Sequence, residues 1–206
     1  FMKKLTLLLM MLLTTIGTWA QEVPTGVLGV GDDATTLEVG KWYFLYNNGS
    51  KRYIKEDGSN ALKQTSTSPT GLDATEGAGY LFTLVAEGDK YYIKTGLGNY
   101  VKAPSSSARG TGASPTASWA LSISSIADGH FTIGNGTYKL TAPTDGTDPK
   151  GGTAATVGSI GDWTFRVANA AAPTDLTGKA LYNSQMNKLG FMRLHCRRNM
   201  NSWLTT

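Results

Sequence analysis

A strand phrase occurs three times in this chain, and it limits the fold more than any other feature. It reads Tyr80-Leu81-Phe82-Thr83-Leu84, then Trp119-Ala120-Leu121-Ser122-Ile123, then Trp163-Thr164-Phe165-Arg166-Val167. Each copy is an aromatic followed by apolar residues at every second position, and the copies start 39 and 44 residues apart. Internal repetition at a near-constant period signals an architecture built from stacked or rotated copies.

Two further strand sets repeat with it. The first is Tyr43 to Asn47, Tyr91 to Thr95 and Phe131 to Asn135; the second is Arg52 to Lys55, Asn99 to Lys102 and Thr137 to Leu140. Asn48-Gly49, Gly96-Leu97-Gly98 and Gly134-Asn135-Gly136 separate the two sets. Asn and Gly tolerate the positive φ that tight hairpin turns need, so each copy reads as a hairpin, a polar excursion and an aromatic-led strand.

The ends read differently from the body. Lys3 and Lys4 precede the apolar run Leu5 to Leu13, and Thr18-Trp19-Ala20 supplies a small residue for cleavage. This is the pattern of a secretory signal peptide over residues 1–20. Its apolar run falls short of the roughly 20 residues needed to cross a bilayer, so no membrane attachment is expected after cleavage. Phe1 ahead of Met2 reads as a stray codon. Residues 21–37 read as a linker and 38–170 as the folded domain. Over residues 185–206 the alternation stops and no acid occurs. Residues 171–206 therefore read as the start of a further module or an aberrant, truncated tail, with a C-terminal catalytic domain among the continuations expected.

Charge follows the same division. The chain carries 19 basic and 15 acidic residues, a formal +4. Six of the basic residues lie in the leader and in residues 185–206: Lys3, Lys4, Lys188, Arg193, Arg197 and Arg198. Without them 13 basic residues face 15 acids, a net −2. The body therefore lacks the electrostatic footprint of a nucleic-acid binder. The single cysteine, Cys196, lies in the tail, so the exported body must be held by burial rather than by disulfides.

Short alternating runs, abundant Gly, Ser and Thr, and no long helical periodicity indicate an all-β domain. Three copies of about forty residues with about four strands each resemble a β-trefoil, the fold of ricin-type lectins, fibroblast growth factors and Kunitz-type soybean inhibitors. An immunoglobulin-type sandwich has no reason for threefold similarity. The strands are expected at 42–47, 52–56, 61–65 and 80–86; at 90–95, 99–103, 108–113 and 119–124; and at 130–134, 137–141, 154–158 and 163–168. One copy cannot bury its apolar face alone, whereas three closing a barrel can, and closure removes open edges. The expected core is Tyr43, Leu45, Tyr53, Leu62, Leu84, Tyr91, Ile93, Tyr100, Leu121, Ile123, Phe131, Ile133, Tyr138, Leu140, Phe165 and Val167, with Phe82, Trp119 and Trp163 at or near it. Leu84, Ile123 and Val167 are expected at equivalent positions.

No catalytic set emerges, and the chain is expected not to be an enzyme. His130 follows Asp128-Gly129 and reads as a solvated turn residue, and His195 is in the tail. Glu38, Glu56, Asp57, Glu76 and Glu87 stand beside turns of separate copies, without the pairing that glycoside hydrolysis needs. Asp145-Gly146-Thr147-Asp148 lacks the closing glutamate of a calcium loop. Gly151-Gly152 and Gly110-Thr111-Gly112 do not join a strand to a helix, so they are not phosphate cradles. Neither metal nor cofactor is expected.

Binding remains. The resemblance to ricin B-type lectins, with a leader like those of Bacteroidetes-type exported proteins, implies shallow sugar sites in the loops of each copy. The candidate ligand residues are Asn47, Asn48, Asp57 and Asn60 in the first copy, Thr95 and Asn99 in the second, and Asn135, Asp145 and Asp148 in the third. Tyr46 and Tyr92 alternate away from the core and are candidate stacking rings. Two departures bear on this. The lectins' Gln-x-Trp motif is replaced by Ala78, Ala117 and Gly161 two places before the aromatic, and their sugar-holding Asp by Lys55, Lys102 and Leu140. The expected function is a secreted, non-catalytic, carbohydrate-binding module, periplasmic or at the cell surface, accessory to a larger glycan-processing protein. Its alternative is a protein-interaction or spacer trefoil without sugar binding.

Overall fold

The computed structural model describes residues 22–106, 110–153 and 158–171. The expected leader and the tail beyond 171 lie outside these residues, as do 107–109 and 154–157 of the strands expected at 108–113 and 154–158. The described residues form β1 (Val27–Asp33), β2 (Trp42–Asn47), β3 (Arg52–Glu56), β4 (Leu62–Thr65), β5 (Leu81–Glu87), β6 (Lys90–Thr95) and β7 (Tyr100–Val101). They continue with β8 (Thr111–Gly112), β9 (Ser122–Ala127), β10 (His130–Gly134), β11 (Tyr138–Thr141), β12 (Lys150–Thr153) and β13 (Trp163–Ala171). A 3₁₀ turn leads into each of β5, β9 and β13, at Ala78–Tyr80, Ala117–Trp119 and Gly158–Gly161.

Six strands close into a barrel. β2 pairs with β5, β5 with β6, β9 with β10, β10 with β13, and β13 returns to β2, all antiparallel. The remaining link, β6 to β9, is the reciprocal bridge Tyr91↔Leu121, with N–H···O distances of 2.9 and 2.8 Å. Three hairpins hang from this ring: β3–β4 on β2, β7–β8 on β6, and β11–β12 on β10. The lobes are thus β2–β5, β6–β9 and β10–β13.

Pairing fixes the lobe-to-lobe equivalence. Tyr43↔Phe82, Tyr91↔Leu121 and Phe131↔Trp163 are the same pair in three lobes. Phe165↔Leu45, Leu84↔Ile93 and Ile123↔Ile133 are the same seam between lobes. Leu84, Ile123 and Phe165 are therefore equivalent, and Val167 lies two residues further on. The strand phrase is in register in its first two copies and slipped by two in the third. The equivalents of Tyr80 and Trp119 are not Trp163 but Gly161.

The barrel interior is filled by Tyr43, Leu45, Phe82, Leu84, Ile93, Leu121, Phe131, Ile133, Trp163 and Phe165, all buried. Phe165 meets Tyr43 and Phe131 edge-to-face at 5.7 and 5.5 Å. Ile54, Leu62, Val101 and Leu140 close one end from the hairpins, and the Trp163 indole donates to the Leu140 carbonyl at 2.9 Å. Each such side chain contributes roughly 1.5–3 kcal/mol by leaving water. The hairpins are laced together by Thr111 N donating to Asn60 O (2.9 Å), Gly151 N to Ser105 O (2.7 Å) and Gln64 Nε2 to Pro143 O (2.9 Å).

Several expectations need correction. Residues 27–33, read as linker, form β1, which pairs with the extended end of β13 from Val27↔Ala171 to Asp33↔Arg166. β1 covers the outer face of the first lobe, where Leu28 packs with Trp42, Phe44, Tyr53, Ala74, Tyr80 and Leu81. Tyr53 belongs to this outer cluster, and its neighbour Ile54 takes the place in the barrel core. Tyr91, Ile123 and Val167 are only partly buried against the core, and Tyr100 and Tyr138 are half-buried outside both clusters. Among the described residues, Lys150–Thr153 forms a strand that pairs with β11.

Candidate functional site

A cleft of about 220 Å³ opens on the first lobe. The end of β3 and the turn after it contribute Lys55, Glu56 and Asp57; the segment entering β5 contributes Glu76, Gly79 and Tyr80; and the β6–β7 turn contributes Leu97. Asp57 and Glu76 are exposed, and Leu97 keeps 43% of its surface in solvent. Tyr80 is buried under the rim, with the Lys55 ammonium 5.5 Å from its ring centroid. The two carboxylates can accept from hydroxyls and the ammonium can donate, while Leu97 offers an apolar wall. This set suits a polyol more than a purely apolar ligand.

The cleft is firmly built. Asp57 Oδ1 accepts from the Ser59 amide (2.9 Å) and hydroxyl (2.7 Å) and from the Ala61 amide (3.2 Å). The Ser59 hydroxyl and then its amide hold the Asp57 carboxyl below its ordinary range. Glu56 turns inward and is 3% exposed. Its Oε1 accepts from Thr111 Oγ1 (2.6 Å) and Asn99 Nδ2 (2.7 Å), and its Oε2 from Thr95 Oγ1 (2.5 Å). Three neutral donors from the second lobe thus satisfy one buried carboxylate of the first. Gly79 lies against the Glu56 carbonyl with no room for a β-carbon.

Of the residues singled out from sequence, Asp57 lines the cleft, and Asn99 and Thr95 hold its floor through Glu56. Others are committed to the fold. Asn47 is fully buried: its Nδ2 donates to the Ile160 and Asp162 carbonyls (2.8 and 3.1 Å), and its Oδ1 accepts the Ser50 amide (2.8 Å). Asn135 does the same for the third lobe, donating to Pro104 O (3.2 Å) and accepting from Tyr138 N (2.9 Å). Asn60, at φ +63, offers its carbonyl to Thr111. Asp148 pairs with Lys63 at 2.6 Å, and Asp145 caps its own turn through the Thr147 amide and hydroxyl. The Arg166 guanidinium lies 4.0 Å from the Tyr46 ring centroid, and the Tyr53 ring meets Tyr46 edge-on at 5.0 Å. Tyr92 is half-buried and meets Tyr100 edge-on at 6.1 Å.

Asn48 belongs to a cluster that sequence reading missed. Its Nδ2 donates to Asp162 Oδ1 and Thr164 Oγ1, both at 2.9 Å, and lies 3.2 Å from His130 Nδ1. His130 Nδ1 is 3.0 Å from both Asp162 carboxylate oxygens. His130 is therefore not a free turn residue; it ties β10 to the entry of β13. The cleft residues Lys55, Glu76, Tyr80 and Leu97 were not proposed as ligand contacts either. Leu97 reaches this side of the molecule through the β5–β6 pairing, where the Gly96 amide donates to the Leu81 carbonyl at 2.8 Å.

The corrected register also bears on the lectin motif. Two places before the core residues Phe82, Leu121 and Trp163 stand Tyr80, Trp119 and Gly161, so glutamine is missing in this register too. The third equivalent of Lys55 and Lys102 is Thr141 rather than Leu140, because Ile54, Val101 and Leu140 share the core position.

No family model and no curated protein matches the chain. Solved structures do. The Macrolepiota procera ricin B-like lectin, in complex with lactose, superposes with a TM-score of 0.51 at 14% identity, over 66% of this chain and 100% of that one. A protein described as BEL β-trefoil gives 0.51 at 17% identity, over 66% and 99%. The GlcNAcα1-4Gal-releasing endo-β-galactosidase of Clostridium perfringens gives 0.50 at 11% identity, over 62% of this chain but only 32% of that one. The fold is a β-trefoil. At these identities the likeness carries the trefoil architecture alone, and the ligand has to be argued from this chain's own surface.

Proposed function

We propose that this trefoil is a secreted, non-catalytic carbohydrate-binding module, accessory to a larger exported glycan-processing protein. The first-lobe cleft carries the reading: two exposed carboxylates, one ammonium and an apolar wall converge on a space the size of a few hydroxyl-bearing groups. A lectin in complex with lactose shares the fold, and the pattern of residues 1–20, two lysines ahead of an apolar run, supports export. Retention on a panel of immobilised neutral polysaccharides tests it. Asp57→Asn with Glu76→Gln should weaken binding about tenfold or more, the loss expected when a charge-assisted hydrogen bond goes. Failure of every glycan, neutral or acidic, to retain the protein at millimolar sugar would end this reading.

A second reading, a spacer or protein-interaction trefoil, is favoured by one observation. Asn47, Asn48, Asn135 and Asp148 engage side-chain polar atoms within the fold. Absence of wild-type retention on every glycan, neutral or acidic, would favour it.

A further inference from the structure

The outer faces of the three lobes differ. In the first lobe the outward residues Phe44, Tyr53 and Tyr80 are covered by Leu28, Leu72 and Ala74 from β1 and the segment before β5. The third lobe presents Thr132, Gly134, Lys139, Thr141 and Gly161 at the corresponding places and has no aromatic there. The second lobe presents Tyr92, Lys94, Tyr100 and Trp119, each half-buried rather than covered, and Lys102, which is exposed.

These five side chains form a strip. Tyr92 and Tyr100 meet edge-to-face at 6.1 Å. Lys94 sits opposite Tyr100 in the β6–β7 ladder, with its ammonium 5.8 Å from the Tyr100 ring centroid. Tyr100 in turn pairs with Gly112, and the Trp119 indole lies over Gly112. A β-carbon at Gly112 would come within 2.6 Å of the indole, so the glycine makes the seat for the ring. The Lys102 ammonium stands 5.5 Å from the Trp119 centroid. Neither lysine forms a salt bridge among the described residues, whereas Lys41, Lys63 and Arg166 do. Lys102 lies two residues beyond the partner of Lys94, a diagonal neighbour roughly 7–8 Å away in sheet geometry. Burial first, and then the Glu87 carboxylate with its hydrogen bond from the Tyr92 hydroxyl, raise the Tyr92 phenol. The chain leaving the strip, Ala103 to Trp119, contains no acid.

We propose that this face is a second binding surface, separate from the first-lobe cleft, and that it takes a uronic-acid-bearing polysaccharide. Aromatic faces pack on the C–H faces of pyranose rings, and two unpaired ammoniums suit a chain with one carboxylate per sugar. A polymer with several sulfates per sugar would demand more cations than the strip holds. The choice of a glycan rests on the proposed function; the choice of an anionic one rests on Lys94 and Lys102 alone.

Affinity electrophoresis of the full chain tests this, with polygalacturonate, neutral galactan, heparin and a single-stranded oligonucleotide as probes. Polygalacturonate should retard the wild type, less so as salt rises. Lys94→Gln with Lys102→Gln should weaken this by about 10- to 100-fold with the far-UV circular dichroism unchanged. The cleft variant Asp57→Asn with Glu76→Gln should keep polygalacturonate binding. Neutral binding without polygalacturonate binding overturns the inference and leaves the proposed function standing. Polygalacturonate binding that survives the lysine substitutions overturns it too, as does stronger, lysine-dependent binding of heparin or the oligonucleotide.

Discussion

Glu56 and Asn47 show how much of this fold rests on single buried polar groups. Removing the Glu56 carboxylate leaves the donors of Thr95, Asn99 and Thr111 without their acceptor. A buried group without its partner costs more than the bond was worth, so Glu56→Ala should lower stability by about 2–3 kcal/mol in urea denaturation. Asn47→Ala abandons the Ile160 and Asp162 carbonyls and the Ser50 amide and should cost a similar amount. It should leave glycan retention of the remaining folded protein unchanged, which separates a turn-holding role from a sugar-holding one. Asp57 behaves differently because it is exposed. The Ser59 hydroxyl and amide favour its charged form and depress its pKa from the ordinary 3.8. Its contribution to the turn is therefore fully present above that value and is lost as pH falls through the depressed one. The Ser59 and Ala61 amide resonances should shift together in that acid range, and Asp57→Asn should abolish the transition.

Among the elements, β1 and β13 depend on each other. Leu28 is 1% exposed and anchors β1 over Phe44, Tyr53 and Leu81. Leu28→Ala should cost about 2–4 kcal/mol, the usual toll of deleting a buried leucine, measured as a lower denaturation midpoint at unchanged slope. This strand was illegible in sequence for a physical reason. Glycines stand at positions 29 and 31 within Val27–Asp33, which weakens the alternating signal, and its partner lies some 140 residues away. The barrel strands were legible because their inward residues alternate strictly. The same alternation hid the slip in the third copy: a shift by one would turn every side chain to the wrong face, but a shift by two preserves the pattern. Trp163 therefore passed for the equivalent of Tyr80 and Trp119 when it stands with Phe82 and Leu121. β12 escaped for the opposite reason, since Lys150-Gly151-Gly152-Thr153 has almost no strand propensity. It pairs because Gly151 can lie against the Ser105 backbone, where a β-carbon would collide. At the cleft, Asp57 was legible as a polar turn residue, whereas the Lys55–Tyr80 contact joins residues 25 apart because β3 and β5 both pair with β2.

For the molecule as a whole, the connectivity forbids independent lobes. The first strand of every lobe is laddered to the last strand of the preceding one, and β13 closes the ring on β2. The hairpins repeat this at the closed end, where each hands a backbone or side-chain hydrogen bond to the next. Removing one lobe would expose two barrel seams and the inner faces of the other lobes, so no partly folded form keeps a complete core. Unfolding should therefore be a single transition. Indole fluorescence, which includes Trp163 at the centre of the barrel, and far-UV circular dichroism, which senses all thirteen strands, should give coincident denaturation curves. Trp163→Ala should shift both curves equally, by about 3–5 kcal/mol, with Trp42 and Trp119 still reporting. A fluorescence transition that separates from the dichroism in either protein would mean that one lobe opens alone, and that the seams Leu45–Phe165, Leu84–Ile93 and Ile123–Ile133 are not energetically equivalent.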